Sequence, residues 1–337
     1  MNEFYPQEAA GKSKVIDEWT TPLKNVGGRK DFMHQITLIN RDDFTVKNSS
    51  STTTVIVGRQ TGLNAAAIFT VVGVLKLFDL PPVKRNSLTA ARVPYARAYA
   101  EVVGYDSSHF ATALANVKDL AYDLSTKFPA DCVEHWIASP DSDIFGPGLG
   151  SSCRYYTMGG DIPGESRITF QNHIDPAGTL SQHLSERVAH CVENDVAYLC
   201  LKKNKYATKD PSGFRLGDIV EMGFELVAFR QTKRGEDEKH ICKVVLRMLT
   251  PLDGSFAKAA FNARADAEQA GKSVTASQKK PKQAPAKRRL DFADLSSDDE
   301  DSADTRQRMA GLRLNDTSEK TAQSTDDAKM ENSQNSV

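Results

Sequence analysis

The chain has 337 residues, a formal net charge of −1 and 39% hydrophobic residues, enough for one large β-rich domain or two average ones. Near-neutrality excludes a protein that coats nucleic acid by bulk charge, so any such binding has to come from a local patch. Five cysteines (Cys132, Cys153, Cys191, Cys200 and Cys242) form no C-x-x-C pair and their number is odd, which argues against a secreted disulfide framework and for reduced thiols inside the cell.

Taken in chain order, residues 1–30 are polar and punctuated by glycine, the composition of an N-terminal arm without an apolar signal core. Residues 31–263 are expected to form a single α+β domain, mainly antiparallel β, with an OB-like barrel carrying inserted helices as the candidate architecture. His34–Asn40 alternates apolar and polar side chains, as a half-buried strand does. Ser49–Gln60 is rich in β-branched residues. Ala65–Leu80 is a continuous apolar run interrupted by Gly73, which reads as buried strand; with Lys76 inside it, it is too short and too charged to span a bilayer, and no membrane association is expected.

Phe110, Leu114, Val117, Ala121, Leu124 and Phe128 recur at three- and four-residue spacing and predict a helix over 107–128, capped by Ser107 or Ser108 and stopped by Pro129. Leu180, Leu184, Val188 and Val192 predict a second, shorter helix over 179–192. Gly146-Pro-Gly-Leu-Gly150 reads as a loop.

The stretch 214–254, FRLGDIVEMGFELVAFRQTKRGEDEKHICKVVLRMLTPLDG, holds two alternating apolar runs around a charged tip and predicts a hairpin. Setting Glu221 opposite Arg247 and Glu225 opposite Lys243 puts two ion pairs on one face. The same register places Val220, Met222, Phe224 and Leu226 against Met248, Leu246, Val244 and Cys242 on the other. With its GDIVE and KVVLRMLTPLDG strands, this segment resembles a recurring one in uncharacterised mushroom-type fungal proteins, some of apparent mobile-element origin. That resemblance implies no activity and assigns no residue a role.

From about residue 264 to 337 the aromatic residues dwindle to Phe292, and Ser, Asp, Lys, Gln and Ala dominate, the composition of a disordered tail. Its motifs are ordered basic, then acidic. Lys279, Lys280, Lys282, Lys287, Arg288 and Arg289 have the form of a nuclear-import signal, which places the chain in the nucleus. Arg288, Leu290 and Phe292 resemble the docking motif read by cyclins. Ser296 and Ser297, followed by Asp298–Asp301, resemble an acid-directed phosphorylation site. The partners these imply are an import receptor and a cyclin-dependent kinase.

Two further stretches suit contact with nucleic acid. A strand through Arg92–Tyr99 would set Tyr95, Arg97 and Tyr99 on one face, two rings beside a guanidinium, the layout of a single-strand platform; packing of the tyrosines on the core edge is the competing reading. Lys202, Lys203, Lys205, Tyr206 and Lys209 fall on an expected loop, where clustered lysines either contact phosphates or are simply solvated.

Catalytic signals are weaker. Gly11-Lys12-Ser13 and Gly271-Lys272-Ser273 lack the upstream glycine of a phosphate loop, which is Pro6 in one case and Asp266 in the other. Cys132-x-x-His135 and the group His183, His190 and Cys191 are the candidate metal clusters, but no four-ligand zinc spacing emerges, so no metal and no cofactor is expected. The leading expectation is a non-catalytic nuclear protein binding single-stranded nucleic acid. The alternatives are a self-assembling structural protein, such as a virus-like coat or nucleoprotein, and an enzyme built on the Cys and His residues.

Overall fold

The structure is a computed structural model. It describes residues 5, 9–20, 23, 33–49, 53–58, 66–83, 88–129, 132–142, 145–159, 162–231 and 239–277, all within a compact unit of residues 1–277. The described residues form an α+β fold made mostly of strands: β1 (Met33–Gln35), β2 (Phe44–Asn48), β3 (Thr53–Gly58), β4 (Ile68–Asp79), β5 (Arg97–Val103), β6 (Val133–Glu134), β7 (Ser139–Ser142), β8 (Gly146–Arg154), β9 (Thr157–Met158), β10 (Val188–Ala189), β11 (Ala197–Lys202), β12 (Lys205–Thr208), β13 (Ile219–Gln231) and β14 (Lys239–Asp253). The helices are α1 (Ala9–Thr20), α2 (Ser108–Ser125) and α3 (Ser255–Ser277). Among the described residues no helix is long and apolar enough to cross a membrane.

The main sheet runs β12-β11-β14-β13-β4-β5-β8-β7, with the β13–β14, β13–β4, β4–β5 and β5–β8 neighbours all antiparallel. It curls until β8 meets β14, where the Ser151 hydroxyl donates to the Val244 carbonyl at 3.5 Å. Side chains bridge that seam and no backbone ladder does, so the sheet is not the closed barrel of the sequence expectation.

Strand β4 explains why the run after Ala67 is apolar without alternation. Phe69, Val71 and Leu75 point into the main core, while Val72 and Val74 point into a second cluster on the opposite face. A strand covered on both faces needs apolar residues at every position. The main core is closed by α2, whose Phe110, Val117, Leu120 and Leu124 face the sheet and whose N-terminus is capped by the Ser107 hydroxyl accepting from the Phe110 N–H at 3.1 Å. Helix and strand approach closely: a Cβ on Gly73 would stand 3.0 Å from the Phe110 ring.

The second cluster takes in described residues of the stretch expected to be an arm. Tyr5, Ile16 and Leu23 are buried there with Val103, Tyr105, Ile219 and Ala260. Helix α1 and the first turns of α3 are thus the cover of the sheet's other face. Helix α3 also carries residues 264–277, expected to be disordered, as far as Ser277. Residues 278–337, with the tail motifs, lie outside the described residues.

Three further expectations are corrected. Residues 179–192 form no α-helix but a short 3-10 turn, Ser181–His183, whose entry is held by Asp175 accepting from the N–H groups of Leu180 (3.0 Å) and Ser181 (2.8 Å), and the strand β10, in which Val188 and Ala189 pair with Met158 and Thr157 of β9. Gly146–Gly150 is the first part of β8, not a loop. Its glycines make room for the neighbouring strand: a Cβ at Gly148 would stand 2.9 Å from Glu101 Oε1, and one at Gly150 3.0 Å from Tyr99 Oη.

The hairpin β13–β14 forms, two to four residues out of the expected register. Glu221 faces Thr250, Phe224 faces Leu246 and Val227 faces Lys243, with a bulge between Gly223 and Phe224. Gly223 is where Met248 comes closest; a Cβ there would stand 2.9 Å from the Met248 Cβ. An unbroken period of two cannot anticipate such a bulge. The ion pairs move accordingly. Arg247 Nη2 reaches Glu225 at 2.9 Å, and fully buried Glu221 accepts from the Tyr206 hydroxyl at 2.7 Å.

Candidate nucleic-acid interface

The expected platform is only partly assembled. Tyr95 ends a 3-10 turn, Ala90–Tyr95, and does not lie in a strand; Pro94 inside that stretch lacks the N–H a ladder needs. Its ring is 69% exposed. Arg97 opens β5 and is exposed too. Tyr99 shares the face of Arg97 but is half-buried, and its hydroxyl donates to Glu101 Oε2 at 2.8 Å while Lys76 Nζ holds Oε1 at 2.9 Å. Burial, followed by this bond and the adjacent carboxylate, raises the Tyr99 phenol above its ordinary range. Tyr99 is therefore part of a buried polar network and is not offered for stacking.

Arg97 gains two neighbours that linear sequence does not reveal. Register sets Arg154, the last residue of β8, directly opposite it. Lys243 of β14 feels both guanidinium groups, because the curl of the sheet brings β14 to this corner. Burial first, and then Arg154 and Arg97, lower the Lys243 ammonium below its ordinary range, against the pull of Glu134. Among the described residues none of the three cations forms an ion pair. By contrast, Arg247 nearby is fully engaged: it bonds Glu225, the Glu193 carbonyl and, at 3.7 Å, the Cys153 sulfur.

Behind the corner lies a small aromatic hollow. The Tyr155 N–H donates to the Ala96 carbonyl at 3.0 Å, tying the residue after Arg154 to the residue before Arg97. The hollow is lined by Tyr155, Phe170, His190 and Tyr198 among others. His190 stacks on Phe170 with ring centroids 3.9 Å apart and bonds the Tyr155 carbonyl through Nδ1 at 2.9 Å. Burial lowers its pKa below the ordinary histidine range, against the Tyr155 carbonyl bond and Asp195.

The lysine group lies elsewhere. Residues 197–208 are not a loop but the tight hairpin β11–β12, turned at Lys203 and Asn204, whose φ values of 49° and 62° are those of a two-residue hairpin turn. Lys202, Lys203 and Lys205 are exposed, and the Lys209 ammonium sits 5.4 Å over the Phe214 ring. Tyr206 points inward to Glu221 and packs against the second cluster. No hydrogen bond, ion pair or ring contact among the described residues joins this hairpin to the Arg97 corner. Strand β12 ends the sheet path, and lysines there guard an open edge against pairing with another strand.

The Cys and His residues are not gathered into a reactive site. Among the described residues no group of three or more His, Cys, Asp or Glu is placed to hold a metal ion. His183 and His190 do not share a helix face, since that helix is absent; His183 contacts Gln182 at 3.3 Å. Burial pushes the Cys153 and Cys242 thiols up to about 11, which opposes nucleophilic use. The two Gly-Lys-Ser triplets fall within α1 and α3, not on a strand-to-helix loop.

No protein-family model matches the chain, and no curated protein or solved structure matches it either.

Proposed function

We propose that the protein binds single-stranded nucleic acid without catalysis, and that the corner formed by Tyr95, Arg97, Arg154 and Lys243 is its contact surface. The observation that carries this reading is the pair Arg97 and Arg154 set opposite each other in register, with Lys243 in electrostatic reach and none of the three in an ion pair among the described residues. Like charges directly opposite across a strand pair destabilise a sheet. A polyanion relieves that cost and returns counterion-release energy. The exposed Tyr95 ring beside Arg97 supplies a stacking surface for an unpaired base, which a duplex cannot offer. The open, curled sheet serves as an OB-like scaffold in this reading, although its barrel is unclosed.

The tail completes the proposal from its sequence alone. The basic block Lys279–Arg289 directs the chain to the nucleus, Arg288, Leu290 and Phe292 dock a cyclin, and Ser296 and Ser297 receive phosphate. The experiment that tests the reading is a titration of the full chain with single-stranded DNA, single-stranded RNA and duplex over a range of salt. The expected result is preference for single strands, with a salt-resistant component that disappears in Tyr95→Ala. Equal affinity for duplex and single strands, unchanged by Tyr95→Ala, would reject it.

A further inference from the structure

We infer that the Arg97–Arg154–Lys243 corner is a site for a terminal phosphomonoester, so that the protein recognises the phosphorylated end of a strand. This rests on the reading just given and narrows it to the end of the ligand.

The cations form a point, not a track. Arg97 and Arg154 are register partners on β5 and β8. Lys243 follows from β14, next to the Val244 carbonyl that the Ser151 hydroxyl of β8 bonds at 3.5 Å, and lies within electrostatic reach of both guanidinium groups. A surface that follows a backbone needs positive groups at successive phosphate spacings, and the second lysine group is tied to a different edge of the sheet. Concentrating three cations on one spot suits an anion with more than one charge. An internal phosphodiester carries one negative charge, whereas a phosphomonoester carries about 1.5 to 2 at neutral pH and three acceptor oxygens. Two guanidinium forks and an ammonium match such an oxygen set.

The surroundings agree. Tyr95 stands two residues before Arg97 with its ring open to solvent, in position for the terminal base to stack while its phosphate sits among the cations. Glu134 is a carboxylate that bears on Lys243, and its pull ranks below the push of either arginine.

The test uses the full chain and one short single-stranded oligonucleotide made in three forms: a 5′-phosphate, a 3′-phosphate, and hydroxyls at both ends. One phosphorylated form should bind about fivefold or more tighter than the hydroxyl form. That preference should vanish in Arg154→Gln, with Arg97→Gln as a second variant; both side chains are exposed, and melting curves check that the fold persists. The preference should also shrink from pH 7 to pH 5, as the phosphate takes up its second proton near pH 6. Equal binding of all three forms would overturn the inference and leave single-strand binding standing. Failure of every form to bind would remove both.

Discussion

The corner where β5, β8 and β14 meet and the hairpin β11–β12 are both rich in cations, and they are built in opposite ways. At the corner, Arg97 and Arg154 stand directly opposite each other across a strand pair, and both act electrostatically on Lys243 of β14. On the hairpin, Tyr198 is buried in the main core and Tyr206 donates to buried Glu221, while Lys202, Lys203 and Lys205 stand in solvent. Lysines spread along an edge strand cost the fold nothing and protect it from pairing. Cations that crowd one another need a reason outside the fold. Charge count alone would have ranked the hairpin first; the strain between like charges ranks the corner first.

The largest effect that would break this ranking is on binding. Replacing all three corner cations with glutamine should weaken single-strand binding about 50-fold at 0.1 M salt and lower the salt slope by about 2, three contacts at roughly 0.7 each. Anisotropy titrations over salt measure both. A triple variant that binds like the parent would remove the distinction between the two regions. Next in size is a stability effect on the hairpin. Tyr206→Phe deletes the hydrogen bond to a fully buried carboxylate and should cost about 1–3 kcal/mol by denaturant unfolding, with little change in binding.

How much of this was legible in the sequence depends on the range of the contacts. Helix α2 was readable to within a few residues because its stripe and its Ser107 cap are local. The existence of the β13–β14 hairpin was readable for the same reason. Its register was not, because the bulge at Gly223 answers to Met248, a contact between strands. The helix expected over 179–192 failed because Val188 and Ala189 pair with Met158 and Thr157 of β9, a contact between distant segments. At the site, Tyr95 and Arg97 were visible as an aromatic beside a cation. Tyr99 was misplaced because the Glu101 carboxylate that holds its hydroxyl is itself anchored by Lys76 of β4, a contact between strands. Arg154 and Lys243 carried no local signal at all, being 57 and 146 residues from Arg97 by their numbers; strand pairing brings the first opposite it, and the curl of the sheet brings β14 and the second toward it.

A smaller effect separates the regions by sign. Lys243 is held below its ordinary range by burial and by two guanidinium groups. The folded state therefore releases this proton at lower pH than the unfolded chain does. The resulting penalty is present at neutral pH and relieved as pH rises toward the ordinary lysine range. Binding that uses the ammonium should weaken over the same rise, and Lys243→Arg should flatten that loss. Neutralising the corner should leave the melting temperature unchanged or raise it by about 1 °C, since it removes a repulsion. A fall of several degrees would mean that these side chains support the fold.

The smallest expected change in affinity comes from the hairpin lysines. Lys202, Lys203 and Lys205 changed together to threonine should alter binding by less than about twofold, because exposed charges remote from the contact are screened at physiological salt. Their loss should appear in self-association. Threonine favours extended structure, and an edge strand without its lysines presents an unguarded ladder to a second copy. Size-exclusion chromatography over a range of protein concentration should show the threonine variant moving to larger species while the corner variant does not. If the hairpin variant stays as the parent is and binding falls tenfold, the two regions have exchanged roles, and the lysines, not the arginines, meet the nucleic acid.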